Sequence, residues 1–402
     1  MHFGFLTLLF VPFFDLAASG ALIEASGELP AEATDPAGDT IGGIGSGIVY
    51  DEANDVYLMV SDRGPGDGTL PYRPRIAVVR LTQEGKTIIP RVIETILLKD
   101  SEGRPMTGLI PDDPDSEHPK MKDGRTCIDP EALALAGDGR LFISDEYGPF
   151  LYEFRRDGTM VRRIALPAEF DPREADGRRN YTDKAALVSG RAVNQGPEGM
   201  CLLPGENQAA LVFQSGSVQD GGKAPAATKI LVLDLATGQP TAIYRYLFSP
   251  DIAGVEATRL SVNDLVALSD RRFLVLERDG TGRDGKNDHQ PARYKAVWLA
   301  DTSDATNLLD SAPGKPEKPV TKTLLFNLAT LVDDSPRLAA KWEGLVVIPP
   351  SDDKSLTLLM TADNDFLAPE IREEGTRYPF LRAEDAVPTQ FFKIRVPLPA
   401  PP

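Results

Sequence analysis

Carboxylates are the side chains of this sequence whose placement invites chemistry. Four stand near the start of short apolar runs: Glu131 in PEALAL (130–135), Glu198 in PEGMCL (197–202), Asp264 in NDLVAL (263–268) and Glu343 in WEGLVV (342–347). A second set closes the runs that follow: Asp62, Asp145 with Glu146, Glu277, and Asp363 with Asn364. One acid at the start of a strand usually faces solvent or clamps backbone N–H groups, but four at one place in a repeat suggest a shared purpose. Carboxylates held together raise one another's pKa unless something neutralises them. A hard cation does this well, and Ca²⁺, with about six to eight oxygen ligands, suits such an inventory better than Mg²⁺. The cations of the same motifs, Arg63, Arg278 and Lys341, either pair with the acids or meet an anionic group held beside a metal. Asn194, just ahead of PEGMCL, is a further candidate for contact with a bound molecule.

These acids meet only if the elements carrying them converge. Short β-branched and aromatic runs such as VYLMVSD (56–62), RLFISDE (140–146) and KILVLDL (229–235) are bounded by turn residues, and long helical periodicity is scarce. The pattern predicts an all-β chain. A unit recurs along it: a first strand (GSGIVY at 45–50, then the four acid-bearing runs), a second ending in a polar cluster, a third, and often a fourth. Four antiparallel strands repeated at irregular spacing describe the blades of a β-propeller. Five units can be counted, and a sixth blade could lie within the long insertions at 100–128 or 168–194, so five or six blades are expected. The last unit lacks an evident fourth strand, which residues 21–29 could supply from the N-terminus, covering two exposed edges. Antiparallel neighbours place the start of one strand beside the end of the next. Innermost first strands would therefore bring Glu131, Glu198, Asp264 and Glu343 around the mouth of the central channel, with Ser46 in the equivalent place of the first unit. The Asp-Gly pairs at 67–68, 138–139 and 157–158 read as hairpin turns. The loop Asp279–Asp288 lacks the order of an EF-hand and reads as a solvated turn.

Composition narrows the function. The chain has 402 residues, 43 Lys and Arg against 60 Asp and Glu, and a net charge of −17, which argues against nucleic-acid binding. His2, His118 and His289 are the only histidines, too few for zinc clusters or Ser-His-Asp chemistry on a wide scale. Residues 3–14 form an apolar run broken by Pro12 and followed by small residues, the pattern of a secretory signal peptide, although its n-region carries no Lys or Arg. Residues 1–21 are therefore expected to be removed on export, leaving 22–402 as one secreted or periplasmic domain. No other stretch is apolar enough to span a membrane, and a monomer is expected. Cys127 and Cys201 are compatible with one disulfide or with two free thiols.

Taken together, IGGIGSGIVYD, VSDRGPGDG, DPEALAL, LFISDEYGP, NQGPEGMCLLP, LSVNDLVAL, FLVLERDG, KWEGLVV and TADNDF resemble the phytase-like domain family, whose members are described as having esterase-like activity. The similarity runs from about residue 40 to 395. It implies a secreted or periplasmic propeller, calcium-dependent, with a link to phosphoester hydrolysis acting on a small-molecule ester. On that expectation Glu131, Glu198, Asp264 and Glu343, with Asp62, Glu277, Asp363 and Asn364, hold the metal. Asp145 or Glu146 takes a proton from water, and Arg63, Arg278, Lys341 and Asn194 bind substrate. Two other readings use the same residues: a lactonase or carboxylesterase on the same metal site, and a non-enzymatic propeller in which calcium holds the blades together while a partner or glycan binds.

Overall fold

The structure, a computed structural model, describes residues 20–113, 116–283, 290–311, 316–332, 337–349, 354–382 and 385–399. The expected signal peptide falls almost wholly outside them, as do His2, His289 and residues 284–288 of the Asp279–Asp288 loop. No helix among the described residues is long and apolar enough to cross a membrane.

Short alternating runs pair with their sequence neighbours into four-stranded antiparallel blades, of which the described residues form five. Blade 1 comprises Gly47–Asp51, Val56–Val60, Arg75–Glu84 and Thr87–Leu97. Blade 2 comprises Pro130–Leu135, Leu141–Asp145, Phe150–Phe154 and Met160–Ala165. Blade 3 comprises Pro197–Leu202, Gln208–Phe213, Ala227–Asp234 and Pro240–Leu247. Blade 4 comprises Ser261–Ala267, Arg272–Arg278, Lys295–Asp301 and Thr321–Asn327. Blade 5 takes Lys341–Ile348, Ser355–Asp363 and Thr389–Pro397 from the C-terminal end and Leu22–Leu29 from the N-terminal end. The N-terminal strand thus completes the last blade as expected, antiparallel to its third strand from Leu22 opposite Arg395 to Leu29 opposite Thr389. Its other edge reaches blade 1, with Ser26 opposite Thr87, so the first and last blades join into one eight-stranded sheet. The long insertions contribute isolated bridges and a two-stranded ribbon (Arg173–Glu174 with Leu187–Ser189) in place of a sixth blade.

The first strands of neighbouring blades contact one another all the way round the ring. Glycine makes that proximity possible: a Cβ on Gly47 would lie 2.8 Å from the Glu131 carbonyl oxygen, and one on Gly199 would lie 2.6 Å from the Asp264 Cα. Second strands such as Val56–Val60 and Leu141–Asp145 are buried throughout, whereas the outer strand Met160–Ala165 is mostly half-buried or exposed. The core lies between the blades, with Phe142, Leu211 and Leu231 sealing blade 2 against blade 3 and Phe273, Val275 and Tyr246 sealing blade 3 against blade 4. Each such side chain contributes roughly 1.5–3 kcal/mol by its burial.

A second fastening spans the closure. Arg75, buried in blade 1, lies 3.2 Å from Asp35 and 3.3 Å from Asp39 and also pairs with Glu373 of the hairpin formed by Glu370–Glu373 and Thr376–Pro379. The Asp138-Gly139 and Asp157-Gly158 pairs do form hairpin turns, with φ at the glycines of 88° and 79°. Asp67-Gly68 instead lies in a tight helical turn, Pro65–Gly68, beside the channel mouth, with Asp67 in the left-handed region at φ 55°. The described start of the Asp279–Asp288 loop is not solvated: Asp279 is buried in a salt bridge to Lys295 at 2.8 Å. Cys127 and Cys201 are both free thiols.

Candidate functional site

Each of four first strands carries an irregularity where it begins, and these irregularities build the site. The ladder jumps between Pro130 and Leu133, Pro197 and Gly199, Val262 and Asp264, and Trp342 and Gly344. A β-bulge of this kind adds a residue, bends the strand and re-aims a side chain. The residues so released are Glu131 with Ala132, Glu198, Asn263 and Glu343. The fourth blade therefore presents Asn263 at the channel mouth, and Asp264, expected there from the sequence, sits one residue further along. Asn263 Nδ2 lies 3.4 Å from Glu198 Oε2 and 3.5 Å from Glu343 Oε1, bridging the acids on either side. The Asp264 carboxylate accepts the backbone N–H of Leu265 at 2.7 Å and that of Leu345 in blade 5 at 2.6 Å. It fastens one first strand to the next.

Around the released residues lies a cavity of about 190 Å³ to which every blade contributes: Asp62 and Arg63, Glu131, Glu198 with Gln214, Ser261 with Arg278, and Lys341 with Glu343. Asn194, Lys223 and Arg259 complete its rim. Three overlapping acid triads face one another: Asp62 with Asp363 and Asp365, Asp62 with Asp129 and Glu131, and Glu131 with Glu146 and Glu198. Within each triad one ligand oxygen per residue lies within 4.8 Å of the others. Asp62 and Glu131 each belong to two triads, so the acids form one continuous band.

Burial and mutual repulsion dominate the electrostatics. Burial, then the neighbouring carboxylates, raises Asp62, Glu131, Glu198 and Asp363 well above the ordinary carboxylate range. Burial also lifts Glu146 against the pull of Arg63. Asp129 is pushed up to about 6 by burial while Arg63, 2.5 Å away, opposes the rise. Three cations offset part of this charge. Arg63 pairs with Asp129, Arg278 lies 2.6 Å from Glu343, and Lys341 lies 2.7 Å from Asp365. Arg63 is held where it is by close packing: a Cβ on Gly108 would fall 1.4 Å from the Arg63 carbonyl oxygen, so only glycine allows the 100–128 insertion to lie there.

The acids meet the requirements of a cation site in their donor chemistry and in what they leave unmade. Glu146 Oε1 accepts the Gly196 N–H at 2.7 Å, but its Oε2 is buried with no hydrogen-bond partner, and so is Asp363 Oδ2. Buried carboxylate oxygens are costly when unpaired. An oxygen-rich set of this kind matches a hard divalent cation, with Ca²⁺ the better fit for so many carboxylates.

The structure does not bring all the sequence-predicted residues to this cavity. Glu277 faces the other way, buried between blades, where it accepts Tyr246 Oη at 2.6 Å and Tyr294 Oη at 3.0 Å and pairs with Lys322. Strand alternation explains this, because its neighbour Arg278 takes the side facing the cavity. Asn364 braces a loop, accepting Gly43 N–H at 2.9 Å and donating to Val387 O at 3.2 Å. Asp145, pushed up to about 7 by burial, is spent on backbone N–H groups of Asp129, Tyr147 and Gly148 at 2.9, 3.2 and 3.2 Å. Its neighbour Glu146 is the one with an oxygen to offer. Conversely, Asp129, Asn263, Gln214, Asp365 and Lys223 were not anticipated at the site. Asp129 and Asn263 directly precede Pro130 and Asp264 in motifs already singled out, and only the bulges reveal which residue of each pair turns inward.

A second cavity of about 300 Å³ adjoins the first, sharing Arg63 and Asn194 as walls and enclosed by residues of both long insertions.

Comparison with known proteins adds a family and relatives. A family profile described as phytase-like, esterase-like activity of phytase, matches residues 39–366. The chain is 24% identical over 453 aligned positions to an uncharacterized secreted protein of Arthroderma benhamiae, covering 87% of each. Among solved structures it is similar, at a TM-score of 0.34 and 12% identity, to a putative 6-phosphogluconolactonase from Bacteroides uniformis, covering 86% of this chain and 88% of that one. It is also similar, at 0.34 and 9% identity, to the hydrazine synthase of Kuenenia stuttgartiensis, covering 80% and 77%.

Proposed function

The chain belongs to the phytase-like family described by an esterase-like activity, and from that premise we propose that it is an exported, divalent-cation-dependent ester hydrolase, acting on phosphoesters or related esters at the channel mouth. The observation that carries the reading is the band of buried carboxylates facing a cavity beside three cations, with Glu146 Oε2 and Asp363 Oδ2 left unpaired. Asp62, Glu131, Glu198 and Asp363 are the residues to hold the ion, and calcium is the ion their chemistry favours. When bound, it would polarise the oxygen of the scissile group and supply charge stabilisation.

The chain's own residues do the rest. Arg63 and Arg278, on different blades, orient an anionic ester between them and stabilise charge developing on its oxygens. The Nε of each is buried without a hydrogen-bond partner. Glu146, held through one oxygen by Gly196, presents the other to accept a proton from the attacking water. Asn263 and Gln214 keep Glu198 oriented, the latter by donating to Oε1. Residues Leu22–Leu29 close the ring that holds all of these in place.

The test is hydrolysis of phytate and of a chromogenic phosphomonoester and carboxylic ester, with calcium and with chelator. Cation-dependent turnover that falls at least a hundredfold in Glu131→Gln and Glu198→Gln supports the assignment. Equal turnover by those variants and the parent removes it.

A further inference from the structure

Resting on the reading of the channel mouth as an ester-hydrolysing site, we propose that the adjoining 300 Å³ cavity is the subsite for the organic part of the substrate, and that it takes a single aromatic ring. The ester would then be a compact, singly substituted aryl ester and not a polyphosphorylated sugar or inositol.

The cavity is built from the segments that lie outside the blade repeat. Ile110 comes from the 100–128 insertion, Tyr147 from the turn after the second strand of blade 2, and Tyr181, Thr182, Arg191 and Val193 from the 168–194 insertion. Its apolar surface is therefore two tyrosine rings and two branched aliphatic side chains. Ile110, 40% exposed, is one of few large apolar side chains left uncovered among the described residues, as expected of a wall that a ligand completes. The guanidinium of Arg63 lies 5.8 Å from the centre of the Tyr147 ring, so a cation already stacks at the border between the two cavities and would meet a substrate ring there too.

Arg191 shapes the floor. It is 1% exposed, and its guanidinium donates to the carbonyl oxygens of Tyr147 and Tyr181, the latter at 2.9 Å. It thereby ties together the backbones that carry the two aromatic walls. Among the described residues it has no carboxylate partner at salt-bridge distance, and its Nε is buried without a partner. Glu146, Asp145 and Asp129 supply its counter-charge from beyond salt-bridge distance. The surroundings do not favour a polyanion: Asp67, Asp129 and Glu146 face Arg63 and Arg191 in this cavity, and in the next the acid band outnumbers Arg63, Lys223, Arg259, Arg278 and Lys341. Repulsion from these carboxylates disfavours a polyanion, whereas one anionic ester group between Arg63 and Arg278 with an aromatic body against Tyr147 and Tyr181 meets both cavities on their own terms. A volume of about 300 Å³ also lies at the small end of ligand pockets.

The experiment separates this proposal from the hydrolase reading by measuring binding apart from turnover. Phenylphosphonate and methylphosphonate, which have no ester to cleave, are titrated into the calcium-loaded protein by calorimetry, alongside hydrolysis of phenyl phosphate, methyl phosphate and phytate. The proposal expects phenylphosphonate to bind roughly tenfold tighter than methylphosphonate, from the apolar surface the ring buries. That ratio should collapse toward one in Thr182→Trp, which fills the cavity from an exposed position, and drop in Ile110→Ser. Both sites are at the cavity's open edge, so the pair guards against one variant failing to fold. Preference for the phenyl compound without any turnover would uphold the subsite and count against the hydrolase. Turnover with no phenyl preference, or preference that survives both variants, overturns the subsite and leaves the hydrolase standing. Absence of binding by either phosphonate also overturns it.

Discussion

Removing a negative charge from the acid band should stabilise the cation-free protein while abolishing its response to calcium. Glu131 is the residue to change, because it belongs to two triads and so faces Asp62, Asp129, Glu146 and Glu198. Two unit charges 4.8 Å apart repel by about 3.5 kcal/mol at an effective dielectric of ~20. The raised proton affinity of the set offsets part of that repulsion, so the gain surviving in Glu131→Gln is about 2–3 kcal/mol, or several degrees in Tm. The pH dependence follows from the same cause. These carboxyls bind protons more tightly in the folded protein than in the unfolded chain, so protonation favours folding. Stability in chelator should therefore fall as pH rises from about 5 to 8, through the raised folded values, of which that of Asp129 is about 6. Calcium replaces protons as the neutraliser, so its stabilising effect should be larger at pH 8 than at pH 5, and about 3–4 kcal/mol at a few hundred times its Kd. The assay is calorimetric melting of parent and variant at both pH values, with calcium and with chelator. A Glu131→Gln protein that melts below the parent in chelator at pH 8 would refute the reasoning, because the acids would then be held by favourable bonds and not by strain awaiting a cation.

Glu146→Gln should lower kcat by about a hundredfold or more, with the calcium-induced rise in Tm retained in part, as steady-state kinetics and melting together would show. Asp264→Asn, which disturbs the Leu345 N–H clamp, should cost about 1–3 kcal/mol in denaturant unfolding yet leave calcium affinity near that of the parent; loss of calcium binding would return Asp264 to the ligand set. Lys322→Met leaves Glu277 buried beside two tyrosine hydroxyls without its cation, and should destabilise by about 3–5 kcal/mol with kcat/KM unchanged. Deleting residues 20–29 removes the fourth strand of blade 5 and exposes two edges, so the protein should lose its cooperative transition or self-associate, read by melting and light scattering.

The propeller was legible because its signals are local. Alternation within 56–62 or 229–235, the turn residues between runs, and the return of an acid at the start of each first strand all sit within a few residues of one another, and the closing role of 21–29 follows from counting strands. The candidate site was legible only in outline. Glu131, Glu198, Glu343, Asp62, Arg63, Arg278, Lys341 and Asn194 all line the predicted cavity, and Glu146 and Asp363 join its acid triads. Asp264, Glu277, Asn364 and Asp145 do not reach it, since each has a polar or charged neighbour (Asn263, Arg278, Asp363 and Glu146) and a one-residue change of frame reverses which of each pair faces inward.

Side-chain type and spacing alone determined that this chain would be a ring of β blades with an acidic face, since hydrophobic periodicity and turn chemistry act over a few residues at a time. Tertiary structure decided which acids share a cavity, because β-bulges shift the register of each first strand and are set by packing against the next blade, as Asn263 and Asp264 show. It also decided what encloses the neighbouring cavity: Ile110, Tyr147 and Tyr181 lie far apart in the chain, and only the folding of two long insertions over blade 2, pinned by the hydrogen bonds of Arg191, places them around one space.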